Sequence, residues 1–532
     1  MGISDWFSLE WQVFTPELVI LLFALLAPIV ATWDNDRRGM QQFAATGLAG
    51  AFLLTLGSVL QIQQSSLFGI DGFNFNLDYI GTSAQPDFAL GTHFMVTEAS
   101  QIFKLVFLGV ALLAVIGVGR PLKGGAREDY GEFFALLLFA TLGMMVVASA
   151  RDLIVLFLGI ETASLSSYLL AGFRRDHAGA EASLKYFIIG AIASGLTLFA
   201  ISLIYGMAGT THIPDLAASI TTAGGFDAAS AIAIVFLLAG LGFKISSVPI
   251  HTWAPDVYYG APTPVVAVLA TASKMMGFVA VFNVFLVGLL GVADNWELAV
   301  AVIAAVTMTV GNLAALRQES MRRMLAYSSI AQAGYVLIAV AVVGAVGGLA
   351  AGGGAAGTSD WALGGGIFHL MVNAAMKLGA FLIVGALLFL GLGDRIEGWK
   401  GLGRKAPFFA FAMTIFMLSM AGLPPLGGFA SKFVLFGGAV KAGIAQGMGW
   451  LVWLAVIAVV NSAISLFYYL RVIRTMYVEE SPDTERMRLP NGVTVAVFVC
   501  LVAVIVMGIW AQPFVDASVQ AAHDLMSASV AP

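Results

Sequence analysis

Fourteen apolar stretches, each long enough to cross a bilayer, punctuate this chain almost from end to end. About 20 apolar residues are needed for one crossing. The stretches run over 15–33, 42–60, 102–119, 132–150, 152–172, 185–208, 229–249, 261–290, 297–316, 323–346, 364–391, 407–440, 449–473 and 492–512. In hydrocarbon every backbone amide and carbonyl must find its partner within its own segment, so each stretch is expected to be helical. The pattern therefore predicts an all-α polytopic membrane protein with about 14 transmembrane helices. Composition agrees: 11% of the 532 residues are charged, against about 25% in an ordinary soluble domain. The segment 407–440 is too long for one straight crossing. It contains Gly422-Leu-Pro-Pro-Leu-Gly-Gly428, so it reads as one broken helix.

Charge placement tests that count. Of the 26 Lys and Arg residues, eighteen fall in the loops on one side, among them Arg37, Arg174, Arg317, Arg395 and Arg404, while only Arg151 and Lys441 fall on the other. Such a bias marks the cytoplasmic side, and a wrong span count would scramble it. Both termini then face outwards, as does the acidic 61–101 loop with Asp71, Asp78, Asp87 and Glu98. No Lys or Arg precedes the first apolar run, so the start does not read as a cleaved signal peptide. The six remaining cations, Lys104, Lys185, Lys244, Lys274, Lys377 and Lys432, all lie in spans, and all are lysines. Arginine keeps its charge, whereas a desolvated lysine can release its proton. The pattern fits proton exchange better than fixed charge.

The stretch Phe243–Lys274, FKISSVPIHTWAPDVYYGAPTPVVAVLATASK, is the densest in chemistry. A lysine near the bilayer centre costs about 2.5–3.5 kcal/mol on insertion scales, and Pro249 removes a backbone donor. Irregular backbone at that depth is tolerated where it lines a cavity. Lys244 is a candidate proton carrier, and His251, seven residues on, shares its face if the helix continues; otherwise it caps the broken end. Lys274 follows Thr271 and Ser273 in an otherwise apolar span. Glu161 sits mid-span, where a carboxylate is a functional candidate by default, the alternative being a structural group satisfied by nearby hydroxyls. Lys185 stands four residues after Glu181, which also fits a helix-end ion pair. His369 and Lys377, eight apart, can share a broad helix face. Lys432 follows the Pro424-Pro425 break. Lys104 lies at a span entrance, where its stem can snorkel.

The single cysteine, Cys500, cannot build a CxxC pair, an iron–sulfur site or a disulfide. There is no GxxxxGK[ST] loop and no GxGxxG in a strand–helix setting. No cofactor, metal or nucleic acid is expected on this chain, and any redox chemistry would sit on other subunits. The interrupted spans seven and twelve, five spans apart, are the pointer to an inverted-repeat transporter, with units over spans 4–8 and 9–13. The corresponding regions are 1–131 (three helices and the external loop), 132–290, 291–480 and 481–532.

The stretches LGIETASLSSYLLAGF, LKYFIIGAIASGLTLFAISLIYG, the Phe243–Lys274 segment, MLAYSSIAQAGYVLIA and AGLPPLGGFASKF together resemble the antiporter-like membrane subunits of respiratory complex I, and most closely the N-type subunit. The resemblance covers roughly 130–480. It implies two inverted five-helix repeats with discontinuous helices 7 and 12, and a subunit that moves protons while quinone is reduced elsewhere in an NADH:quinone oxidoreductase or relative. It assigns Glu161 to the span-five carboxylate and Lys244 to its partner lysine on the broken span seven, Lys185 to span six, Lys274 to the centre and Lys432 to the exit side; the relay expected from these residues has the Glu161–Lys244 pair opening and closing. M-type, K-type and J-type subunits in a prokaryotic plasma membrane are the implied neighbours. Two features differ. The HLMVNAAMK stretch with His369 and Lys377 is similar to M-type and Mrp antiporter subunits, and the stretch from Gly391 to Phe429 is similar to N-type subunits of archaeal complexes that oxidise reduced coenzyme F420. An Mrp-type Na⁺/H⁺ antiporter subunit is the alternative reading.

Overall fold

A computed structural model describes residues 14–33, 36–62, 88–90, 93–118, 129–222, 226–347, 356–481, 485–487 and 490–527. The acidic residues Asp71, Asp78 and Asp87, the basic residues Arg120, Lys123, Arg127 and Arg488, and most of the glycine-rich 344–357 stretch lie outside the described residues.

Twenty α-helices, a few short 3₁₀ and π-helical pieces and one small hairpin form the regular structure of the described chain. The first six helices are α1 (Thr15–Val30), α2 (Arg37–Ile62), α3 (Glu98–Ile116), α4 (Tyr130–Ser149), α5 (Leu153–Ala171) and α6 (His177–Ala208). Next come the short α7 (Leu216–Thr222), then α8 (Ala228–Ile245), α9 (Trp253–Gly260), α10 (Thr263–Val268) and α11 (Lys274–Val281). The second half holds α12 (Glu297–Leu316), α13 (Met321–Gly347), α14 (Ala356–Phe389), the one-turn α15 (Leu402–Lys405), α16 (Pro407–Ala421), α17 (Gly427–Ala445), α18 (Gly449–Tyr477), α19 (Asn491–Ile509) and α20 (Gln512–Ser527). Strands Phe88–Leu90 and Phe94–Val96 pair antiparallel ahead of α3.

Among the described residues, 13 helical stretches are long and apolar enough to cross a membrane. Adding the shorter α1, and joining α16 to α17 across their break, gives the fourteen crossings that the hydropathy predicts. Short polar residues fix where several begin. Asp152 accepts from the amides of Ile154 and Val155, Asp176 from Gly179, and Asp227 from Ser230. Each satisfies amides that a first helical turn leaves unpaired.

Two crossings are interrupted where the prolines fall. α8 stops at Ile245, and Ser246 adopts a left-handed backbone with φ 59°; the chain then turns through Pro249 before α9 starts. α16 stops at Gly422 with φ 87°, and Pro424 and Pro425 intervene before α17. The stretch from Thr263 to Gly288 is continuous but contains two π-helical pieces, Leu269–Ser273 and Phe282–Gly288. The first lies immediately before Lys274, and π-turns inside helices are often found at functional sites. This stretch and α13 form the buried axis of the molecule; α6 and α18 lie at its edge with apolar side chains such as Leu184, Ile192, Trp453 and Phe467 outward. α20, not expected from the sequence, packs Val515, Ala521 and Ala522 inward, against α14 and α3.

Candidate functional site

Glu161 on α5 and Lys244 at the end of α8 line one small cavity of about 10 Å3, together with Phe157, Ser164, Ser194 and Gly240. That is the lower limit for one water. The two charges do not touch. Glu161 accepts a 2.5 Å hydrogen bond from the Ser194 hydroxyl, and the Lys244 ammonium donates to the Ser164 hydroxyl at 2.8 Å. Ser164 lies three residues after Glu161 and so shares its helix face. Lys244 is therefore held about one turn from the carboxylate by a neutral partner. Gly277 admits the lysine stem: a Cβ there would stand 3.2 Å from both Cβ and Cγ of Lys244.

The other buried amines gather along α13. The Lys274 ammonium donates to the carbonyl of Ser329 at 3.1 Å. Lys377, on α14, donates to the Leu325 carbonyl at 3.0 Å and to the Ser328 hydroxyl at 2.6 Å. Ser328 also shares a hydrogen bond with the Tyr469 hydroxyl. One turn on, Gln332 continues the line: its Oε1 is 2.9 Å from His369 Nε2, and its amide donates to the Met420 carbonyl. His369 Nδ1 is 2.9 Å from the Ser431 hydroxyl, adjacent to Lys432. The Lys432 ammonium donates to the same Met420 carbonyl at 2.7 Å and to Ser462 at 3.0 Å, and stands 4.8 Å from the centre of the Tyr335 ring. Lys274, Lys377, Lys432 and His369 are all at most 4% exposed.

The structure thus brings Lys274, His369, Lys377 and Lys432 into one line, with Glu161 and Lys244 as a separate pair. The residues that join the line, Ser328, Gln332 and Tyr335, escaped the sequence reading. Their signal was present, because polar side chains at i, i+4 and i+7 of an otherwise apolar span share a face.

Three further candidates lie outside this line, and for Lys185 the helix-end pair with Glu181 is the reading that holds. Lys185 is not in the cavity: it is half-exposed and paired with Glu181 at 2.7 Å and with Asp256 at 2.8 Å. His251 does not share a face with Lys244, because the helix ends at Ser246; its Nδ1 lies 3.2 Å from the Pro249 carbonyl. Lys104 does not snorkel. It is fully buried and turned inward, its ammonium paired at 2.6 Å with the buried carboxylate of Glu17 on α1, which stabilises the charge there. Among the described residues no three His, Cys, Asp or Glu side chains cluster as a metal site.

An all-helical membrane protein with two interrupted crossings and a line of buried amines defines a transporter-type subunit rather than a soluble catalyst. Residues 150–465 match the profile of the NADH:quinone oxidoreductase/Mrp antiporter transmembrane family. The chain is 39% identical over 531 residues to the F(420)H(2) dehydrogenase subunit N of Methanosarcina mazei, covering 97% of this chain and 99% of that one. It is 40% identical over 541 residues to the NADH-quinone oxidoreductase subunit N 2 of Symbiobacterium thermophilum, covering 98% and 99%. Among solved structures, a chain of Thermus thermophilus respiratory complex I with bound aureothin superposes with a TM-score of 0.73 at 30% identity, over 94% of this chain and 98% of that one. A chain of the Mrp complex from a Dietzia species shares the fold, with a TM-score of 0.79 at 22% identity over 98% of each. The chain belongs to the NADH:quinone oxidoreductase/Mrp antiporter family, as an N-type antiporter-like subunit of the complex I kind.

Proposed function

We propose that the chain moves protons across a prokaryotic plasma membrane as a non-redox subunit of a complex I-like oxidoreductase, carrying no cofactor itself and driven by quinone reduction in other subunits. The supporting observation is the kind of partner each buried amine has. Lys244, Lys274, Lys377 and Lys432 donate only to hydroxyls and carbonyls, and none has a carboxylate within ion-pair distance among the described residues. A neutral acceptor can hold an amine in either protonation state, whereas a bonded carboxylate would lock it charged.

In this reading Glu161 and Lys244 form the input. When the two close, the carboxylate stabilises the lysine's positive charge; when they part, the proton is pushed on through Lys274 to Lys377, His369 and Lys432. Such groups titrate as a set, not singly. Moving one charge against 100 mV costs about 2.3 kcal/mol. One charge pair at 4 Å supplies about 4 kcal/mol in a partly shielded interior, so one opening and closing covers the cost. Spans 4–8 and 9–13 would be the two inverted units, with termini outside and M-type, K-type and J-type subunits as neighbours in the bilayer. The Mrp-type alternative shares the fold, and the full-length N-type relatives favour the complex I reading. Lys244→Ala in the assembled complex, reconstituted into sealed vesicles, tests it: quinone reduction and proton movement should fall together.

A further inference from the structure

The half-exposed cluster around Asp256 lies outside the buried line, and it joins α6 and α13 through Lys185 and Arg323. The two oxygens of Asp256 are divided between two helices. Oδ2 binds Lys185 of α6 at 2.8 Å, and Oδ1 binds Arg323 of α13 at 3.1 Å. Arg323 is the third residue of α13, with Arg322 before it. Cations are disfavoured at a helix N-terminus, so these two need anions. Asp394 serves Arg322 at 3.0 Å, and Asp256 serves Arg323. Both guanidinium groups also lie against the Tyr259 ring, at 4.6 and 5.0 Å.

Asp256 is carried by α9, the short helix after the break, and α9 is fastened to the other side as well. The Trp253 indole donates to the carbonyl of Phe243 at 3.1 Å, the residue immediately before Lys244. The same indole stacks on Tyr186 with centroids 4.5 Å apart. Beyond Arg323, the next turns of α13 supply Leu325, Ser328 and Ser329, the partners of Lys377 and Lys274. A continuous set of contacts thus runs from the Lys244 turn through α9 to Asp256, across to Arg323, and into the turns that hold the next two lysines.

We infer that Asp256 is a positioning residue that joins the Glu161–Lys244 pair to the α13 partners of Lys274 and Lys377, with Lys185 as the second cation of that joint rather than a member of the buried line. The inference rests on the proton-translocation reading above. Half-exposed ion pairs add little to stability, so the joint acts through placement: with the charge of Asp256 gone, α9 and α13 are no longer registered, and a proton leaving Lys244 meets a displaced receiver.

The test uses the assembled complex in sealed vesicles, with quinone reduction and proton movement recorded together and assembly checked on native gels. Asp256→Asn should lower both rates by about threefold to fivefold, the size typical of coupling substitutions, with assembly intact. Asp256→Glu should restore most of the loss, and Asp256→Asn with Arg323→Gln should be no worse than Asp256→Asn alone. Wild-type rates in Asp256→Asn, no recovery with glutamate, or additive losses in the double variant would each overturn the joint. Should Asp256→Asn fail to assemble, Arg323→Gln decides alone: a matching loss supports the joint, and wild-type rates sink it. Lys244→Ala in the same preparation separates the two ideas. If it blocks both rates while Asp256→Asn does not, only the joint falls; if it pumps as wild type, the relay falls first.

Discussion

His369 is the residue whose role a pair of substitutions can divide most cleanly. Its two ring nitrogens bridge Gln332 of α13 and Ser431 of α17, at 2.9 Å each, with no exposure. His369→Leu removes both bonds at similar volume; His369→Gln keeps polar atoms that can bond but holds no titratable proton. Side-chain hydrogen bonds between membrane helices average about 0.6 kcal/mol in double-mutant cycles. Two of them give about 1.2 kcal/mol, or roughly an eightfold shift in the local packing equilibrium. Leucine should therefore lower the unfolding temperature of the assembled complex, and glutamine should recover much of that loss. Proton movement separates the roles. If His369 passes protons to the Lys432 side, both variants pump poorly, glutamine included. Wild-type pumping in His369→Gln would refute a relay role and leave His369 as a strut between α13 and α17.

Two further outcomes follow from packing and pairing. Lys104→Met leaves Glu17 as an unpaired buried charge, so the complex should assemble poorly, because stripping one partner from a buried pair costs about 3–5 kcal/mol. Adding Glu17→Gln should restore most of the yield, measured by native gel; no recovery would show that the pair is not what holds α1 to α3. Gly277→Ala places a methyl 2.9 Å from Ile245 Cγ2 and 3.2 Å from the Lys244 stem. It should lower proton movement while sparing assembly, and a variant that pumps normally would show that Lys244 tolerates displacement.

Much of this molecule could be read from the chain because hydrocarbon leaves few choices. An apolar run must be a helix, and Pro249, Pro424 and Pro425 mark both interruptions. The same physics made Glu161, Lys244, Lys274, Lys377 and Lys432 visible, since a charge inside an apolar run stands out. What stayed hidden depended on contacts between distant segments. Lys104 looks like a helix-end lysine until Glu17, 87 residues earlier in the sequence, is seen beside it. Lys185 has a local partner in Glu181, and only the fold adds Asp256. His251 follows Lys244 by two helical turns on paper, but Ser246 takes the backbone elsewhere. The neutral partners on α13 carry little signal singly, because Ser, Gln and Tyr are common in membrane helices. α20 carries too few apolar residues to register as a crossing, and its place against α14 and α3 is a matter of tertiary packing.

The most direct measurement is Lys244→Ala in the assembled complex in sealed vesicles, with quinone reduction and proton movement recorded at the same time. If Lys244, bonded among the described residues only to the Ser164 hydroxyl, gates proton passage, its removal lowers both rates together while the complex stays whole, since reduction stalls when its protons cannot move. Both rates at wild-type level in an intact complex would contradict the relay and leave Lys244 a structural cation.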